Sequence, residues 1–152
     1  MLWHFSHNMH KHIFVTHRRQ NMENAIRKFW EHEFGNSEIG YDFAGWEIRK
    51  GAYGQEGSRY GWNIDHILPL SKGGTNDFNN LQITHIDTNA ERGNKITFWL
   101  GNIPINNVSY QISYQVKRTS RLLDDDEIAD YNDHYNGKKF CIIIKEYRQN
   151  EE

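Results

Sequence analysis

Apolar residues recur at helical spacing from Asn21 onward. Met22, Ala25, Ile26, Phe29, Trp30 and Phe34 fall three and four positions apart, and Gly35 follows as a stop. This predicts a helix over about 21–34 whose stripe is a core face. The period then drops to two. Ile39, Tyr41 and Phe43, then Trp46 and Ile48, alternate around an Ala-Gly turn and predict a hairpin. The glycine-rich stretch KGAYGQEGSRYG reads as loop.

Trp62, Ile64, His66 and Leu68 alternate again, up to Pro69, which has no N–H for a sheet ladder. SKGGTNDFNN is turn chemistry, and Leu81-Gln-Ile-Thr reads as a second short strand antiparallel to the first. Thr88 followed by Glu91 matches a capping box. A helix is therefore predicted from about Thr88 to Leu100, with Gly93 weakening it, Gly101 ending it and Asn89 in its first turn. Val108, Tyr110, Ile112, Tyr114 and Val116 alternate strictly as a half-buried strand. LLDDDEIADYNDHYNG is expected as an acidic helix or loop, and KKFCIIIKEY as another strand. The pattern has no internal repeat.

Composition narrows the class. The chain has 152 residues, 14% of them aromatic and 25% charged, which suits one domain with its own core. No apolar run approaches the roughly 20 residues that span a bilayer, and residues 1–20 lack the pattern of a secretion signal. The single cysteine, Cys141, excludes an internal disulfide and a four-cysteine zinc site. Within FCIII it is expected to be a buried, inert thiol. The expected setting is the cytoplasm. The net charge of −2 argues against a strong general pull on nucleic acid, although Lys11 to Arg19, Arg49 with Lys50, and Lys117 to Arg121 are local basic clusters.

Five of the nine histidines, His4, His7, His10, His12 and His17, lie in residues 1–20. This segment is expected as a flexible His-rich leader, ahead of a domain over 21–152 for which Met22 is a possible start. A metal-binding or DNA-contacting arm is the alternative.

The chemistry concentrates at Asp65 and His66, two ionisable neighbours in an apolar run, which are costly to bury unless partnered. Successive strand residues point to opposite faces, so the pair cannot easily grip one ion together. A division of labour follows, with one side chain for a metal and the other for substrate.

The stretch IDHILPLSKGGTNDFNNLQITHIDTNAERGNK resembles the HNH endonuclease motif, a ββα-metal nuclease element, over residues 62–95. Asp-His on the first strand, a Pro and Gly-Gly loop, Asn-Leu opening the second strand, and an Asn followed by Arg and Lys all stand in order. Asn80 and Asn89 lie 14 and 23 residues after His66, intervals similar to those in the HNH domains of RNA-guided CRISPR nucleases.

The resemblance implies an α+β fold: a ββα-metal core over 62–100, an N-terminal helix, and a C-terminal β elaboration over 105–148. It implies a metal-dependent DNA endonuclease leaving 5′-phosphate and 3′-hydroxyl ends. Asp65 and Asn89 would hold one Mg²⁺, with Mn²⁺ as a substitute. His66 would be the general base, and Asn80 would complete the catalytic set by holding the loop and the orientation of His66. Arg92, Lys95 and Lys72 would contact phosphate. His85 is open between extra ligand, DNA contact and supporting partner, the last being preferred.

The chain departs from two family patterns. Gly93 stands where colicin-type relatives carry a further histidine, and no paired CxxC is present to hold a structural zinc, so packing by the N-terminal helix and C-terminal strands is expected instead. Expected partners are DNA and other nuclease, phage or restriction components, in a bacterial or phage-encoded setting and without a membrane. The competing reading is a DNA-binding or assembly module that keeps the fold without catalysis. A metal-binding protein built on the N-terminal histidines is a third. Sequence specificity and oligomeric state have no signature here.

Overall fold

The computed structural model describes residues 2–122 and 124–151, with 2–16, 130, 132 and 133 described by their backbone alone. The chain divides after Glu38 into two compact units. The first contains α1 (Leu2–Phe34). No glycine or proline interrupts Leu2 to Phe34, so the predicted helix runs back through the segment expected as a leader. Gly35 ends it at φ +63°, its N–H donating to Glu31 O at 2.7 Å. Only the C-terminal part of the apolar stripe is buried: Phe29 and Trp30 are enclosed, whereas Met22 is 60% exposed. The side chains of His4, His7, His10 and His12 lie outside the described residues.

The second unit mixes strands and helices, as the α+β expectation has it. The hairpin β1 (Ile39–Tyr41) and β2 (Glu47–Arg49) pairs Gly40 with Ile48, and Gly45 turns it at φ +88°. Then come β3 (Trp62–His66), β4 (Leu81–His85) and α2 (Ile86–Arg92). β3 and β4 are antiparallel, as expected, with Asp65 opposite Gln82 and His66 opposite Leu81. A three-stranded antiparallel sheet follows, made of β5 (Thr97–Ile105), β6 (Val108–Arg118) and β7 (Phe140–Gln149). The acidic α3 (Asp125–His134) lies between β6 and β7 in sequence, capped by Asp124, whose side chain accepts from Glu127 N at 2.7 Å.

The region after residue 85 differs from expectation. α2 begins at Ile86 and ends at Arg92, and Thr97–Leu100 is strand rather than helix. Gly93 adopts φ +61° and breaks the helix, whereas Gly101 lies where the β5–β6 register slips between Leu100 and Ile103. The Thr88/Glu91 signal misled because the cap is His85 and because Glu91 accepts from Gly101 N at 2.8 Å. Downstream, the alternation of exposed Thr97 and Trp99 with buried Phe98 and Leu100 has period two. Phe98 stacks on Tyr114 of β6, with centroids 5.4 Å apart. Asn89 consequently falls in the second turn of α2, and the β elaboration starts at Thr97 rather than 105.

The sheet supplies the main core. Leu100, Ile112, Tyr114, Ile142 and Ile143 cluster with Ile67, the residue after β3. Burial at this scale is worth roughly 1.5–3 kcal/mol per large side chain. Cys141 is buried in the same cluster, as expected.

Candidate active site

The β3–β4–α2 unit sorts its polar residues by face. Asn63 and Asp65 are two apart on β3 and share one side. Asn89 and Arg92, three apart on α2, share one helix face. These faces meet in two rungs: Asn89 Nδ2 donates to Asn63 Oδ1 at 2.9 Å, and Arg92 Nη1 donates to Asp65 Oδ2 at 3.0 Å. Asn63 carries no motif signal in the sequence, yet it anchors Asn89.

Arg92 is wholly buried. Besides Asp65 it donates to His66 O at 3.0 Å, to Lys95 O at 3.2 Å and to Ile67 O. It therefore pins the end of β3 to the end of α2. This corrects its expected contact with phosphate, since the guanidinium is wholly buried and spends four of its five N–H groups inside the fold. Lys72 and Lys95, expected in the same role, are exposed.

Asp65 is nearly buried, with a side chain 12% exposed. Burial pushes its carboxyl above the ordinary carboxylate value, while the Arg92 charge and the Gln82 amide pull it back. Gln82 Nε2 donates to Asp65 Oδ2 at 3.3 Å, and Tyr135 OH donates to Gln82 Oε1 at 3.0 Å. Tyr135, at the end of α3, is enclosed, and burial raises its phenol well above its usual value, so it stays a donor. A chain of three side chains thus runs from the C-terminal region to the carboxylate. Neither Gln82 nor Tyr135 stands out in the sequence.

All these contacts fall on Oδ2. Among the described residues, Asp65 Oδ1 and Asn89 Oδ1 accept no hydrogen bond, while the other polar atom of each side chain is held. Two anchored side chains on adjacent rungs therefore each keep one free oxygen. Such oxygens suit a small hard cation that takes its remaining ligands from water and phosphate. Among the described residues, no group of three or more His, Cys, Asp or Glu is poised to hold a metal.

His66 occupies the other face of β3. Its Nε2 is 2.7 Å from Asn76 Oδ1 in the connecting loop. An amide oxygen accepts, so this contact suits the tautomer with the hydrogen on Nε2, which in the neutral ring leaves the lone pair on Nδ1. The loop is held by Asn80, which is buried. Its Oδ1 accepts from Leu68 N at 2.9 Å, and its Nδ2 donates to Leu68 O at 3.0 Å and to Thr75 O at 2.8 Å. Gly74 is required beside it, because a Cβ there would overlap Leu68 O.

His85 is enclosed, and both ring nitrogens are used. Nδ1 accepts from Asp87 N at 3.0 Å, capping α2, and Nε2 donates to Arg59 O at 2.7 Å. No lone pair is left for an ion, so of the three open readings the supporting one fits this geometry. Asp42, unremarked in the sequence, accepts from Ala44 N and Trp46 N at 3.0 Å and from His85 N at 3.1 Å. It ties the β1–β2 turn to the end of β4.

Among family models, the one that describes the HNH endonuclease matches residues 52–95, which span this unit. No curated protein and no solved structure matches the chain.

Proposed function

We propose that the chain, whose residues 52–95 match the HNH endonuclease family model, is a metal-dependent DNA endonuclease hydrolysing phosphodiesters to 5′-phosphate and 3′-hydroxyl ends. The observation that carries this reading is the pair of free oxygens, Asp65 Oδ1 and Asn89 Oδ1, on side chains whose other atoms are anchored. Asp65 and Asn89 would hold one Mg²⁺, with Mn²⁺ as a substitute. When bound, the ion would neutralise charge developing on phosphate and on the leaving 3′ oxygen.

The remaining work belongs to the chain itself. His66 Nδ1 takes a proton from the attacking water, because Asn76 keeps Nε2 as the protonated nitrogen. Asn80 holds the loop that carries Asn76, and so acts on the imidazole indirectly. Arg92 and Gln82 both bond Oδ2 and so leave Oδ1 to the ion. Lys72 and Lys95 are exposed and meet phosphate at the surface.

Among the described residues, no helix is long and apolar enough to cross a membrane. A cytoplasmic setting, and partners among nuclease, phage or restriction components, belong to the same proposal. Supercoiled plasmid incubated with the purified chain should be nicked with Mg²⁺ and left intact with EDTA. Duplex binding without cleavage under Mg²⁺ and Mn²⁺ would favour the non-catalytic module instead.

A further inference from the structure

The ends of β6 and β7 enclose a cleft of about 340 Å³, walled by Leu68, Ile96, Val116 and Phe140. It is fastened to the loop that carries Asn76. Leu68 is two residues beyond His66, and Asn80 bonds both its N–H and its C=O. Lys139 N donates to Asn79 O at 2.9 Å, and Val116 N donates to Ile96 O at 2.8 Å. The floor of the cleft and the imidazole are therefore braced by one set of bonds.

Its rim is cationic. Arg118 and Arg121 line it and are exposed. Arg118 lies 5.6 Å from the Phe140 ring centroid, and Lys139 Nζ lies 5.9 Å from the same ring. Lys117 is neutralised by Glu127 at 2.9 Å, but Arg118, Arg121 and Lys139 have no ion-pair partner among the described residues. Two lining arginines and the lysine beside Phe140, with no ion-pair partner among the described residues, next to an apolar floor match a polymer that alternates anionic and apolar groups at short spacing, which is the sugar–phosphate backbone.

We infer that this cleft binds the backbone of duplex DNA beside the scissile step, with Arg118, Arg121 and Lys139 on phosphates and Phe140 and Leu68 against sugar. The choice of DNA rests on the nuclease reading of the adjoining loop. These side chains meet backbone alone, so they add affinity and register without reading sequence.

The experiment measures binding of a labelled mixed-sequence duplex by fluorescence anisotropy, without divalent ion, on the full chain carrying His66→Ala, over a range of salt. Adding Arg118→Ala, Arg121→Ala and Lys139→Ala should lower the slope of log affinity against log salt by about 0.9 for each phosphate no longer neutralised, which is about eightfold in affinity for each at 0.1 M salt. Lys145→Ala, an exposed lysine of β7 outside the cleft, should leave both unchanged. If the triple variant binds with the parent's affinity and slope, or if the parent itself does not bind duplex, the inference is overturned. If the triple variant loses binding while the unmutated chain fails to nick plasmid under Mg²⁺, the cleft assignment stands and the hydrolytic reading falls.

Discussion

Arg92 Nη1 donates to Asp65 Oδ2 at 3.0 Å, joining the last residue of α2 to the carboxylate of the Asp-His pair from inside the fold. Neither partner can leave without stranding the other, since Arg92 is 0% exposed and the Asp65 side chain only 12%. Arg92→Ala should therefore destabilise the protein by about 3–5 kcal/mol. Urea unfolding checks this. A midpoint like that of the unmutated chain would mean that the guanidinium is not the brace described.

Tyr135 reaches Asp65 through Gln82. Tyr135→Phe removes one oxygen and leaves Gln82 Oε1 unpaired, at a cost of about 1–3 kcal/mol. A looser Gln82 lets the carboxylate rotate, so Mn²⁺ affinity should fall by about tenfold, as losses around a metal site do. Electron paramagnetic resonance of free Mn²⁺ reads that affinity without turnover. Unchanged Mn²⁺ affinity alongside lowered stability would make Tyr135 a packing residue only.

Burial raises the Asp65 carboxyl above its unfolded value, which sets a pH dependence. For the metal-free protein, a raised value means that this group's contribution to stability is fully present below the unfolded value and is lost as pH rises through the folded one. A cation held by the ionised form acts in the opposite direction. The increment in Tm from Mg²⁺ should thus grow as pH rises through the raised value, at a pH above that of an ordinary carboxylate. Thermal scans with and without Mg²⁺ across the acid range test this, and Asp65→Asn should flatten the profile.

Asn76 sets which nitrogen of His66 is free. Asn76→Ala should lower kcat by about ten- to a hundredfold, by analogy with other residues that orient a functional histidine. The KM for duplex should change little, because Asn76 bonds the imidazole. A raised KM with kcat preserved would move Asn76 from the base to the substrate.

The sequence made part of this legible. The Asp-His pair and the two strands follow from period-two alternation and the Pro and Gly-Gly loop, which are local signals. The extent of the helix after residue 85 is not legible, because its capping signal is local whereas Phe98 is drawn into a strand by a partner in β6. Arg92 resembles a surface cation in the sequence because only the folded state brings the Ile67 and His66 carbonyls to it. Asn63, Gln82, Asp42 and Tyr135 stay hidden because each works through a residue distant in sequence. Asp65 opposite Gln82 is one clue, since directly paired residues of antiparallel strands share a face.

The central claim is that His66 activates water beside an ion held by Asp65 and Asn89. Its most direct test is the rate of supercoiled plasmid nicking by His66→Ala, at saturating Mg²⁺, beside the unmutated chain and with Tm measured on both. The account predicts a loss of at least about a hundredfold at unchanged Tm. Nicking by the variant at the rate of the unmutated chain would contradict it.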